Sequence, residues 1–270
     1  MFKVENESMT YCVAINVEGG LVFASDSRTN AGIDHVSTYT KMHTFLRPGE
    51  RAFVLLSAGN LATTQAVVKQ LGQDSESGEG SLYRLPSMSA CADHIGHLST
   101  MVQRQQAERD TANTNFEATF IFGGQIAGGD PELFMIYPQG NYIHESRSHP
   151  YLQIGEIKYG KPILDRVIRR DLSLETAARA ALVSLDSTIR SNVTVGPPID
   201  LAILRRDSTT LETRLHLEES DPFYRTLCER WQEGLMAGLT YLPRFPWEPA
   251  PQQQMPPAAP LPPDWAGSDQ

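Results

Sequence analysis

Two β-rich runs facing each other across a glycine turn constrain this chain most. Tyr11 to Val17 and Leu21 to Ser25 are joined at Glu18-Gly19-Gly20, a local signal for a hairpin with a tight turn. Thr10 precedes the first run, Asp26 follows the second, and Lys41 heads the next short segment. A hairpin brings its open ends together, so Thr10 and Asp26 fall at one end of a sheet, where Lys41 can join them.

Those three residue types make chemical sense together. A threonine hydroxyl is a poor nucleophile unless a base takes its proton. A free α-amino group, with a reference pKa of about 7.7–8.0, does this near neutral pH. That amine exists only if Thr10 is the first residue. A cationic lysine beside it lowers the hydroxyl's pKa, and a carboxylate beside the lysine holds it in place. Thr10, Asp26 and Lys41 are therefore the candidate catalytic set. The plainer alternative is a strand threonine beside an Asp26–Lys41 pair that only bridges two strands.

Further along, Arg51 to Ser57 reads as a buried strand, and Asn60 as the N-cap of a helix that ends at Gly72. Gln73 to Gly80 reads as a surface loop. A second helix is expected from Ser87 to Arg109, with Met88, Cys91, Ile95, Leu98 and Val102 on one face. Phe116 to Gly123, Glu132 to Tyr137 and Asn141 to Glu145 read as strands of a second sheet. Helices follow from Tyr159 to Ile168 and from Ser173 towards Arg190, then strands over Asp200 to Arg205 and Thr213 to Leu217. Asp221-Pro222 opens a last helix to about Leu239. After Leu242, nine of the last 28 residues are proline, a composition that cannot pack a core and reads as a solvated tail over residues 243–270.

Several function classes are disfavoured. A formal net charge of -9 argues against a binder of duplex nucleic acid, which needs a basic patch to neutralise phosphates. Three widely spaced cysteines form neither a zinc pattern nor a disulfide framework and fit a reducing cytoplasm. No apolar run reaches the roughly 18 residues of a membrane span, and residues 1–9 lack the apolar core of a signal peptide. His94 and His97 share a helix face, yet no third ligand is marked, so neither a metal nor a cofactor is assigned. Gly123-Gly124 and Gly128-Gly129 read as turn glycines and not as a phosphate cradle. Residues 1–9 read as an upstream extension, either a removed propeptide, a tail or a start codon placed too early. The last is favoured, because Met9 precedes a small residue from which an initiator methionine is readily removed.

Thr10-Tyr11-Cys12-Val13, Ala24-Ser25-Asp26-Ser27-Arg28, Lys41-Met42-His43 and Leu56-Ser57-Ala58-Gly59-Asn60 resemble the proteasome β-subunit and HslV superfamily, and within it the bacterial Anbu family. The resemblance covers roughly residues 9 to 242 and is densest before Asn60. It implies an α+β fold, a four-layer αββα sandwich of the N-terminal-nucleophile hydrolases, over residues 10–242. It also implies a homo-oligomer, ring or helix, acting on peptide or amide bonds with Thr10 as nucleophile and the backbone N–H near Gly59 as oxyanion donor. Non-proteolytic amidases and scaffolds are the alternatives it leaves open, and Anbu-like proteins lie near ATP-grasp and transglutaminase-like neighbours. The pattern departs from the family in three places, the first being a Thr10-to-Lys41 spacing one residue shorter than in proteasome β-subunits. Ile154-Gly155-Glu156 stands where proteasome subunits carry Gly-Ser-Gly. Ser191-Asn192 ahead of Gly196-Pro197 matches only loosely the late Asp-x-x-Ser pair, since Asp186 lies too early, within a helix. Glu156, Ser191 and Asn192 are thus the candidate supporting residues.

Overall fold

The computed structural model describes residues 10–30, 36–77 and 81–248. The expectations for residues 1–9 and for most of the proline-rich tail lie outside these. Two compact units are distinguished, Met1–Trp231 and Gln232–Gln270.

In the first unit, β1 (Tyr11–Val17) and β2 (Gly20–Asp26) form the expected hairpin, with Cys12 opposite Ser25 and Val17 opposite Gly20. A short ribbon of β3 (Arg28–Asn30) and β4 (Val36–Thr38) follows. β5 (Met42–Arg47) and β6 (Arg51–Gly59) lead to the helices α1 (Leu61–Ser77) and α2 (Met88–Ala107). β7 (Ala118–Ile126), β8 (Glu132–Ile136), β9 (Tyr142–His144) and β10 (Tyr151–Gly155) precede α3 (Lys161–Val167) and α4 (Leu174–Ser191). β11 (Ile199–Arg205), β12 (Thr213–Leu217) and α5 (Pro222–Thr240), whose residues up to Trp231 belong to this unit and the rest to the second, complete the order.

Two five-stranded antiparallel sheets result, β10-β1-β2-β11-β12 and β5-β6-β7-β8-β9. Strand alternation explains the layering, because successive side chains leave opposite faces. Cys12, Ala14, Leu21 and Phe23 point between the sheets, where they meet Val54, Leu56, Ile121 and Leu133. Tyr11, Val13, Ile15 and Val22 point the other way and pack on Leu164, Ala177, Ala181 and Leu185 of α3 and α4. On the far side, Phe53, Leu55, Phe120 and Phe122 pack on Val67, Leu71, Cys91 and Ile95 of α1 and α2. Each fully buried large apolar side chain contributes about 1.5–3 kcal/mol. The architecture is the expected αββα sandwich.

Ser87 and Ser173, read as helix starts, cap α2 and α4 by accepting from the N–H groups of Ala90 and Thr176, and Asn60, read as an N-cap, accepts from the Thr63 N–H. Three local readings need correction. α1 does not stop at Gly72 but runs on to Ser77. A mid-helix glycine costs only about 1 kcal/mol, and Gln70 bridges the position by donating to Asp74 one turn on. β10 was not foreseen, although it forms an edge of the first sheet against β1. Gly123 and Gly124 are not turn residues: both lie inside β7. A Cβ on Gly123 would fall within 2.9 Å of the Phe23 ring, and one on Gly124 within 2.2 Å of the Ala52 carbonyl, so close packing against neighbours demands glycine there.

In the unit from Gln232 onward, Leu235, Met236, Leu239, Tyr241, Leu242, Phe245 and Trp247 are exposed, and the Phe245 and Trp247 rings stack at 4.6 Å. On the outer helices α1 to α4, only Met101 and Val167 are large apolar residues with comparable exposure among those described. Exposed large apolar side chains on those four helices are therefore confined to isolated positions.

Candidate active site

The site gathers at the open end of the β1–β2 hairpin. Thr10 is 7% exposed and sits one residue before β1, while Asp26 is the last residue of β2 and fully buried. Asp26 is held from three sides. Its Oδ1 accepts from the Tyr11 N–H at 2.9 Å and from Lys41 Nζ at 2.7 Å, and its Oδ2 from the Gly196 N–H at 3.3 Å. Lys41 Nζ also donates to the Arg28 carbonyl at 2.6 Å, so the ammonium is fixed by a carboxylate and a backbone dipole. The Lys41 carbonyl accepts from the Ser57 N–H at 3.0 Å, which extends the β5–β6 ladder and anchors this lysine in the second sheet. The pair thereby links the two sheets beside Thr10.

Burial pushes the Asp26 carboxyl above its ordinary range; Lys41 and the Tyr11 and Gly196 N–H groups oppose this. Burial also pushes the Cys12 thiol far up. Only a thiolate is a competent sulfur nucleophile, so Cys12, two residues from Thr10, is no rival to it.

Gly59 ends β6 with φ +107, and a Cβ there would lie 2.4 Å from the Glu117 carbonyl. Left-handed backbone and close approach both require glycine. Glu156 lies opposite Thr10: β10 pairs Gly155 with Tyr11, and the Glu156 N–H donates to the Thr10 carbonyl at 2.7 Å. The Glu156 side chain is buried, with Oε2 accepting from Asn192 Nδ2 at 3.1 Å and Oε1 from the Lys158 N–H at 3.0 Å. Asn192 in turn accepts from the Thr194 N–H and hydroxyl. Glu156 and Asn192 are thus brought together, whereas Ser191, the last residue of α4, is exposed. Asp186 pairs with Arg190 one turn on, within α4.

Sequence reasoning missed the backbone donor at Gly196 and the Ser27–Asp200 contact of 3.1 Å. The first is a main-chain group with no sequence signature. Ser27, by contrast, stood inside a motif already singled out, directly after Asp26.

The sequence pattern of the family described as Proteasome subunit matches residues 8–204. The chain is 26% identical over 207 residues to proteasome subunit beta 2 of Pyrobaculum aerophilum, covering 74% of this chain and 91% of that one. Among solved structures, Anbu (ancestral beta-subunit) from Yersinia bercovieri superimposes with a TM-score of 0.83 at 45% identity, covering 87% of this chain and 99% of that one. The Anbu complex from Pseudomonas aeruginosa, described as a helical assembly, gives a TM-score of 0.84 at 47% identity over 88% and 99% of the two chains. With the family pattern across most of its length and the Anbu fold over nearly all of those chains, this chain belongs to the proteasome subunit family, as a member of the Anbu type.

Proposed function

We propose that the protein is an N-terminal threonine hydrolase that cleaves peptide or other amide bonds through an acyl-enzyme, within a self-assembled homo-oligomer. The observation that carries this reading is the buried ammonium of Lys41, clamped by Asp26 beside Thr10. Once Thr10 is the first residue, its α-amine takes the hydroxyl proton as Oγ1 attacks the amide carbonyl. The Lys41 charge stabilises the developing alkoxide, and Asp26 keeps that charge in place. The Gly59 N–H is assigned to the oxyanion of the tetrahedral intermediate. The amine then returns the proton to the leaving nitrogen, and water, activated by the same amine, hydrolyses the ester.

The test is a chemical one. Intact mass of the protein from its native cell is expected to show Thr10 as the first residue, and a peptide vinyl sulfone is expected to modify Thr10 alone. Retention of the residues before Thr10 removes the base and with it this mechanism. Labelled Thr10 without turnover across a peptide library assigns the site to a non-peptide amide instead.

Self-assembly is supported by the helical assembly described for the Pseudomonas aeruginosa protein. Head-to-tail contacts produce rings when the rotation closes and helical filaments when it does not. Sedimentation at micromolar concentration is expected to give species well above one subunit, and a single monomeric boundary refutes the assembly.

A further inference from the structure

Glu156 is a buried carboxylate whose two oxygens accept, among the described residues, from neutral donors, the Lys158 N–H and the Asn192 amide. Among the described residues no ammonium or guanidinium is paired with it. A buried charge without a counter-charge is costly, and a cation beside it offsets that cost. The register says where that cation appears. Tyr11 lies opposite Gly155, and the Glu156 N–H bonds the Thr10 carbonyl, so Thr10 and Glu156 are direct cross-strand neighbours. Side chains of such a pair leave the same face of the sheet, with Cβ atoms about 4.5–5.5 Å apart. Ile154, two residues before Glu156, and Cys12, two after Thr10, both point between the sheets. Thr10 and Glu156 thus continue the register of Cys12 and Ile154 at the end of this ladder, with their main chains bonded directly.

We infer that the Glu156 carboxylate forms an ion pair with the α-ammonium of Thr10 once that residue is first, making Glu156 a positioning residue that holds the amine's proton. This deepens the hydrolase reading and rests on it for the requirement that Thr10 be N-terminal. The other ionisable groups on the surrounding elements are already engaged or remote in charge. Asp26 of β2 is neutralised by Lys41, Asp200 of β11 bonds Ser27 and His216, Asp186 of α4 pairs with Arg190, and Arg28 donates to the Val193 carbonyl. Lys158 is exposed, and burial pushes the His43 imidazole down, towards its neutral form. Lys41 acts against protonation of the amine, and Glu156 acts for it.

The sign follows directly. A carboxylate within about 4–6 Å favours the charged ammonium and raises its pKa by about one unit or more. Because the mechanism needs the neutral amine, Glu156 moves the working range of Thr10 to higher pH.

The experiment uses the chain released from a fusion so that Thr10 is first, as wild type, Glu156→Gln and Glu156→Asp. The α-amine pKa is read from the pH dependence of trace acetylation by mass spectrometry. Glu156→Gln is expected to lower it by about one unit, and Glu156→Asp, which keeps the charge, to stay within a few tenths of wild type. Coincident wild-type and Gln values overturn the ion pair, and so does a shift that Asp reproduces in full. Vinyl sulfone labelling of the same samples separates the two readings. An amine shift without any labelling sinks the hydrolase and keeps the ion pair, whereas labelling with coincident pKa values does the reverse.

Discussion

A Lys41→Ala protein is expected to leave Thr10 unlabelled by the electrophile and to lose about 3–5 kcal/mol of stability, the cost of removing one partner from a buried pair. Lys41 and Asp26 side chains are 8% and 0% exposed and 2.7 Å apart. Without the ammonium, a desolvated carboxylate is left at the end of β2, held only by the Tyr11 and Gly196 N–H groups. For a domain of this size, a loss of that order lowers the melting temperature by about 10 °C. A double variant, Lys41→Ala with Asp26→Asn, separates the two roles. It removes both charges, so most of the stability is expected to return while labelling stays absent. Labelling that survives the single change reassigns Lys41 to structure alone.

Gly155→Ala is expected to be nearly as damaging, although no functional group is changed. Gly155 has φ +88, and a Cβ there would sit 2.0 Å from the Thr10 carbonyl oxygen. The left-handed backbone costs an alanine about 1–2 kcal/mol, and forcing the strands apart costs about 1–3 kcal/mol more. The displaced group is the main chain of Thr10, and a misplacement of about 1 Å lowers reactivity on the order of 100-fold. Gly49→Ala is the matched control. Gly49 has φ +85 with nothing within 4 Å of a Cβ, so only the backbone cost of about 1–2 kcal/mol applies and labelling is unchanged. Equal effects of the two substitutions on labelling overturn the account of Gly155.

How much of this was legible before the structure depended on how local each signal is. The β1–β2 hairpin was readable because the turn and both strands are contiguous and alternate correctly. Ser87 and Ser173 were readable as helix starts because a cap acts within three residues. The reach of α1 past Gly72 was misread for the converse reason. A breaker residue is a local signal, and it was outweighed by continuation of the helix through Ser77.

β10 and the glycines of β7 depended on partners far along the chain. Tyr151–Gly155 is a strand because β1, some 140 residues earlier, offers it an open edge. Gly123 is a glycine because Phe23, a hundred positions away, occupies the space where its Cβ would be.

The site divides in the same way. By itself the sequence determined the residue types and their order: a threonine before a hairpin, an aspartate closing it, a lysine opening the next segment, and a late Ile-Gly-Glu run. Tertiary structure alone decided that Lys41 reaches Asp26, that the Gly196 N–H supplies a third hold on that carboxylate, and that Glu156 lies opposite Thr10 while Ser191 faces outward. The physical reason is that hydrogen bonds and ion pairs act over about 3–4 Å, and only the packing of two sheets brings groups from five separate segments within that distance.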